Sequence, residues 1–213
     1  MLLELFAIFF MVPLAVWKQW LPVPLIMIPL YLLAGYAAVW MFADKGGDRR
    51  QFWSGGDVLL EKAYLKIILR RLVLVVTLVW LVVYAFYPDK LFLLPREHPL
   101  IWLLILLLYP ALSVYPQELL YRAFFFSRYA GLFTDKYFMI MASTVFFAFM
   151  HVVFGNPVAI LSTLIGGYLF ADTYSRTRSL RLVCLEHALY GSVIFTLGLG
   201  EFFVFGAAKT FLM

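Results

Sequence analysis

Apolar stretches of bilayer-spanning length recur along this chain, and they limit its fold more than any other feature. A bilayer core about 30 Å thick needs roughly 20 apolar residues in helical form, because no backbone N–H or C=O can go unpaired there. About seven such segments can be read: Leu2–Trp17, Val23–Ala43, Ile67–Tyr87, Leu100–Phe126, Tyr137–Phe154, Val158–Tyr174 and Leu180–Leu199. Pro29 sits in the second as a kink, and Pro110 and Pro116 lie inside the fourth. Composition agrees. Of 213 residues, 65% are hydrophobic and only 14% charged, with a mean hydropathy of +0.94, whereas a soluble domain is about 45–50% apolar and about 25% charged. A water-soluble globule of this size would expose very large apolar patches, and a disordered chain would be poor in apolar residues. The single cysteine, Cys184, excludes an internal disulfide. The expected fold is all-α, a polytopic integral membrane helix bundle of about seven transmembrane helices.

Charge placement orients this bundle. With the N-terminus inside, the inner loops hold Lys45, Arg49, Arg50, Lys62, Lys66, Arg128, Lys136, Arg176, Arg178 and Arg181, against Lys18, Lys90, Arg96 and Lys209 outside. Ten against four favours a cytoplasmic N-terminus. Basic loops meeting anionic lipid account for the net charge of +5 without any nucleic acid. The first segment has no basic start and no small-residue cleavage site, so it reads as a retained anchor. The chain divides into N-terminal membrane helices with a basic inner loop (1–99) and a C-terminal helical core (100–213).

Ionisable residues inside spans are costly and usually functional. Segment four carries Gln117, Glu118 and Arg122, segment five His151, and segment seven Glu186 and His187. Arg70 and Arg71 begin segment three and read as snorkelling anchors; Asp172 reads as a cap or a partner of nearby arginines. Glu118 and Arg122 are four apart with the acid first, the favourable spacing for a pair on one helix face. At ~1.5 Å per residue, Glu118 lies about 15 Å from the inner flank, His187 about 9 Å and His151 about 22 Å. One site in the inner half to the middle of the membrane accommodates these depths, with His151 the awkward member.

An acid and two imidazoles in a partly dry cavity can activate a water and stabilise an oxyanion. They can also bind a divalent metal, or relay protons or a solute in a transporter. No HExxH or GxSxG motif is present, and Cys184, three residues before His187, is expected to be a small buried hydrophobe. Gly166 and Gly167 read as packing glycines.

Taken in order, Gln117-Glu118-Leu119-Leu120-Tyr121-Arg122, Phe147-Ala148-Phe149-Met150-His151 and His187-Ala188-Leu189-Tyr190-Gly191 resemble the EExxxR, FxxxH and HxxxN motifs of the CAAX-protease and bacteriocin-processing (CPBP, Abi) family of glutamic-type intramembrane endopeptidases. The resemblance covers roughly Leu100 to Leu199 and makes 100–213 a CPBP-like protease core. It implies hydrolysis of peptide bonds in membrane-associated protein or peptide substrates, prenylated or precursor forms among them, in an integral protein of the bacterial inner membrane. Glu118, Arg122, His151 and His187 match the motifs. By that resemblance an acid of the first motif and His151 activate the attacking water and His187 supports the oxyanion, with no cofactor required. Since the first acid, usually the base, is Gln117 here, either Glu118 takes the role, fixed by Arg122, or the site is inactive. Two positions depart: the first acid of the motif is Gln117 and the final asparagine is Gly191. Glu186 is a further acid nearby, and Asn156 is a candidate replacement for the missing amide. The alternative class is a degenerate, non-cleaving membrane scaffold or maturation factor; a transporter ranks third.

Overall fold

A computed structural model describes residues 1–20, 25, 27–43 and 57–204. The polar stretch with Lys45, Arg49 and Arg50, and the tail from residue 205 with Lys209, lie outside the described residues. The described residues are helical, with no strand among them. Seven main helices lie among the described residues: α1 (Leu2–Trp17) and α2 (Met27–Ala43), both shorter than a full span, then α3 (Val58–Phe86), α4 (Pro99–Arg128), α5 (Lys136–Met150, continued by a 3-10 turn His151–Phe154), α6 (Pro157–Thr177) and α7 (Leu180–Leu197). Four of them, α3, α4, α5 with its turn, and α7, are long and apolar enough by length and composition to cross a membrane. Of the most apolar windows of α3 and α4, only 11% is buried, so their outer faces suit lipid. The polytopic helical bundle of an integral membrane protein is the result.

Side chains stop and start these helices where the sequence provides caps. Asp57 accepts from Leu59 N (2.8 Å) at α3, and Asp135 from Tyr137 N (2.7 Å) and Phe138 N (3.1 Å) at α5. At α7, Ser179 Oγ accepts from Leu182 N at 3.2 Å. Gly198 ends α7 in the left-handed region at φ 117°, and a Cβ there would run into the Lys90 carbonyl. Only glycine satisfies both conditions.

Ion pairs show which ends lie together. Glu61 at the start of α3 pairs with Arg181 at the start of α7 (2.9 Å), and Lys90 after α3 pairs with Glu201 after α7. Helices α3 and α7 therefore run parallel. Glu4, at the start of α1, pairs with Arg128 at the end of α4 (2.7 Å), making those two antiparallel. Phe9, fully buried in α1, packs edge-on against Tyr121 and Phe125 of α4, each at 5.2 Å between ring centres. That contact fastens the N-terminal helix to the core.

Asn156 is occupied as a cap. Its Oδ1 accepts from Ala159 N (2.8 Å), and its Nδ2 donates to Phe202 O (2.9 Å) and Phe154 O (3.2 Å). This corrects the expectation from sequence that it replaces the missing amide at the site. Asn156→Ala should lower stability by about 1–2 kcal/mol. Thermal melting in detergent checks this, and an unchanged melting point would count against the cap role.

Candidate active site

The fourth helix is irregular where the site lies. It passes through π-helical turns at Pro110–Val114 and Leu119–Phe124, and such turns are frequent at functional sites. Pro110 and Pro116 each lack an N–H, which loosens the regular ladder around them. Between the two turns come Gln117 and Glu118.

Glu118 and Arg122 are both fully buried. Glu118 Oε2 lies 3.3 Å from Arg122 Nε, an ion-pair contact without hydrogen-bond alignment. The rest of the guanidinium ties three helices together. It donates to Tyr121 O (3.3 Å), Ser143 Oγ on α5 (3.1 Å) and Gly167 O on α6 (3.3 Å). It also lies 4.7 Å from the centre of the Phe147 ring, a favourable cation–π distance. Gly167 allows this close approach, since a Cβ there would stand 3.0 Å from the Phe147 ring.

The other oxygen of Glu118 meets His187. Nδ1 of His187 lies 2.7 Å from Glu118 Oε1. A carboxylate can only accept, so Nδ1–H donates, and in the neutral imidazole Nε2 keeps its lone pair. The imidazole stacks on Phe170 at 4.5 Å and is met edge-on by Phe147 (5.7 Å) and Tyr109 (5.9 Å). His151 repeats the arrangement with a backbone partner. Its Nδ1–H donates to Phe147 O at 2.7 Å, so again Nε2 is the free acceptor.

Both histidines line one cavity of about 160 Å³, together with Tyr109, Ser113, Gln117, Tyr190 and Gly191. Phenylalanines, among them Phe147, Phe154, Phe170 and Phe195, supply much of the remaining wall. Such a volume has room for an attacking water beside a carbonyl group. The fold thus brings His151, His187, Glu118 and Arg122 into one cluster, but not as equals. Glu118 is absent from the cavity wall; it stands behind His187. The wall position on α4 belongs to Gln117, whose Nε2 donates to Ser113 Oγ at 2.7 Å and whose Oε1 has no partner among the described residues. Depth also differs from the expectation. The wall runs from the middle of α4 and α7 to Phe154 and Phe203, the bundle end at which α5 and α7 finish, not the end near Arg128 and Arg181. Counting along helices from Lys136 placed His151 far along α5, and the cavity extends to meet it there.

A second polar cluster lies beside the first. Arg71 donates to Asp172 Oδ2 (2.8 Å), Thr173 Oγ1 (3.2 Å) and Glu186 Oε1 (3.4 Å), and Tyr190 Oη donates to Glu186 Oε1 (2.8 Å). Asp172 also binds Arg176 at 2.7 Å. Arg71 is therefore not the interfacial anchor expected from the sequence; it reaches inward and joins α3 to α6 and α7. Glu186 is committed to this network and is absent from the cavity wall. Among the described residues, no group of three or more His, Cys, Asp or Glu side chains is arranged to hold a metal ion.

Sequence reasoning passed over Tyr109 and Ser113, gave Tyr190 no role of its own and took Arg71 for an anchor. A signal existed for two of them: Tyr109, Ser113 and Gln117 recur every four residues and form one stripe down α4.

Residues 97–193 match the family model described as Type II CAAX prenyl endopeptidase Rce1-like. The match encloses Gln117, Glu118, Arg122, His151, His187 and Gly191 and supports a membrane protease of this kind. No curated protein and no solved structure matches the chain significantly.

Proposed function

We propose that this integral membrane protein, whose residues 97–193 form an Rce1-like domain, hydrolyses peptide bonds of membrane-associated proteins with a water held between His151 and His187. The observation that carries this reading is the Glu118–His187 contact at 2.7 Å behind a cavity that also exposes His151. The water gives a proton to His187 Nε2 as its oxygen bonds to the scissile carbonyl carbon. The carbonyl oxygen becomes an oxyanion. When the tetrahedral species collapses, the C–N bond breaks and the imidazolium returns its proton to the leaving amine. Glu118 accepts from Nδ1–H throughout and stabilises the imidazolium that forms, the same division of labour as in a carboxylate–histidine pair of a hydrolase triad. Arg122 positions Glu118. His151 Nε2 accepts the water's second hydrogen and so orients its lone pair. This assignment moves the base from Glu118 to the imidazole that Glu118 holds.

A purified full-length protein in liposomes, given a membrane-anchored peptide with a prenylated C-terminal CAAX sequence, provides the test. His151→Ala should lower kcat by about 10²-fold, because the water loses the acceptor that aligns its lone pair and a misplaced reacting atom costs about that much. Cleavage unaffected by that change would refute the reading. EDTA and 1,10-phenanthroline arms separate a metal-assisted reaction from an imidazole-driven one.

Gln117 on the cavity wall favours a second reading, a scaffold that holds substrate helices without cutting. It predicts that wild type and His151→Ala bind the peptide alike and that neither releases product.

A further inference from the structure

Hydrolysis at this site needs a hydrogen-bond donor for the oxyanion, and neither imidazole supplies one in its neutral form. Both Nδ1–H groups are spent on the protein, on Glu118 and on Phe147 O, and both Nε2 atoms accept. Several other polar groups of the wall are also committed. Thr163 Oγ1 donates to Ala159 O (2.7 Å) and Tyr190 Oη to Glu186, while one of the two Gln117 Nε2 hydrogens goes to Ser113 Oγ and holds that amide against α4.

Tyr109 differs. Its ring meets His187 edge-on at 5.9 Å, it lines the cavity, and its hydroxyl makes no hydrogen bond to protein among the described residues. A phenol is also a far stronger donor than the aliphatic hydroxyls of Ser113 and Ser162. Position 191 adds a second observation. His187 and Gly191 are four apart on α7 and share a face. A Cβ built on Gly191 would collide with the Tyr109 hydroxyl and stand 2.7 Å from Cζ. The phenol fills the space of the side chain that residue 191 lacks.

We infer that the Tyr109 hydroxyl is the donor to the tetrahedral oxyanion at this site, in place of a side chain at position 191. The inference rests on the hydrolytic reading above. Tyr109 would touch the reacting oxygen within the cavity that it shares with His187.

The test uses the full chain in liposomes with the prenylated CAAX peptide and its phosphinate analogue, whose tetrahedral oxyanion replaces the scissile amide. Tyr109→Phe should lower kcat by about 10²–10³-fold, as loss of an oxyanion donor does. KM and melting temperature should hold. Phosphinate affinity should fall in step with kcat while affinity for the uncleaved peptide stays, because the donor acts on the transition state alone. Gly191→Asn alone should melt well below wild type, and Tyr109→Ala combined with Gly191→Asn should recover both melting temperature and part of the kcat lost by Tyr109→Ala. A Tyr109→Phe protein with wild-type kcat overturns the inference. If wild type and His187→Ala are equally inert, the hydrolytic reading fails, and the phosphinate arm still decides the donor. Binding that is absent in wild type, or equal in wild type and Tyr109→Phe, overturns it.

Discussion

Glu118→Gln is expected to reduce kcat by about 10⁴-fold with little change in KM, the loss found when an amide replaces the carboxylate behind a catalytic imidazole. The reason is local. Glu118 has one oxygen toward Arg122 and the other toward His187 Nδ1. In the glutamine variant the guanidinium can be met only by the amide oxygen, so the NH₂ group faces His187. Nδ1 must then accept, the proton moves to Nε2, and the imidazole presents a donor where the water needs an acceptor. His187→Ala removes the base itself and should be at least as severe. The double variant should be no worse than His187→Ala, because groups acting as a unit are not additive. Single-turnover cleavage in liposomes measures all three. A Glu118→Gln protein within about tenfold of wild type would show that the carboxylate only fills space; that margin is far below the loss expected for a tautomer reversal.

Arg122→Leu should be the most damaging substitution for folding, costing about 3–5 kcal/mol, since removing one partner of a buried ion pair leaves the other charge uncompensated. Both side chains are fully buried, and the guanidinium is also the shared donor to Ser143 and Gly167 O. Its loss frees the contacts that hold α4 against α5 and α6. Pairing Arg122→Leu with Glu118→Gln should return a large part of the stability while turnover stays lost, because the isolated charge is gone but so is the carboxylate that holds His187. Unfolding in mixed micelles measured by helix content tests this. Equal melting of wild type and Arg122→Leu would mean that Arg122 does not hold the helices together.

Legibility from sequence varied with the range of the interaction. The helices were readable because a bilayer demands long apolar runs, and segments such as Tyr137–Phe154 and Leu180–Leu199 correspond closely to α5 with its turn and to α7. The Glu118–Arg122 pair was readable as a four-residue spacing. Arg71 was misjudged because its place near the start of an apolar run says nothing about which neighbouring helix it faces. It meets Asp172 and Glu186, 101 and 115 residues away. Tyr109 went unnoticed for a similar reason: one tyrosine among 13 carries no mark of a partner on another helix.

The order of acid, arginine and two histidines along apolar segments, and the membrane class itself, were determined by the sequence alone, since hydropathy and helical spacing are properties of neighbouring residues. Only the packing of α4 against α5 and α7 decided that Glu118 stands behind His187, that Gln117 takes the cavity wall and that a tyrosine occupies the notch at Gly191. Those outcomes depend on helix rotation and on two π-turns. Each extra residue in a turn swings every later side chain to a new bearing, a shift that no linear spacing rule contains.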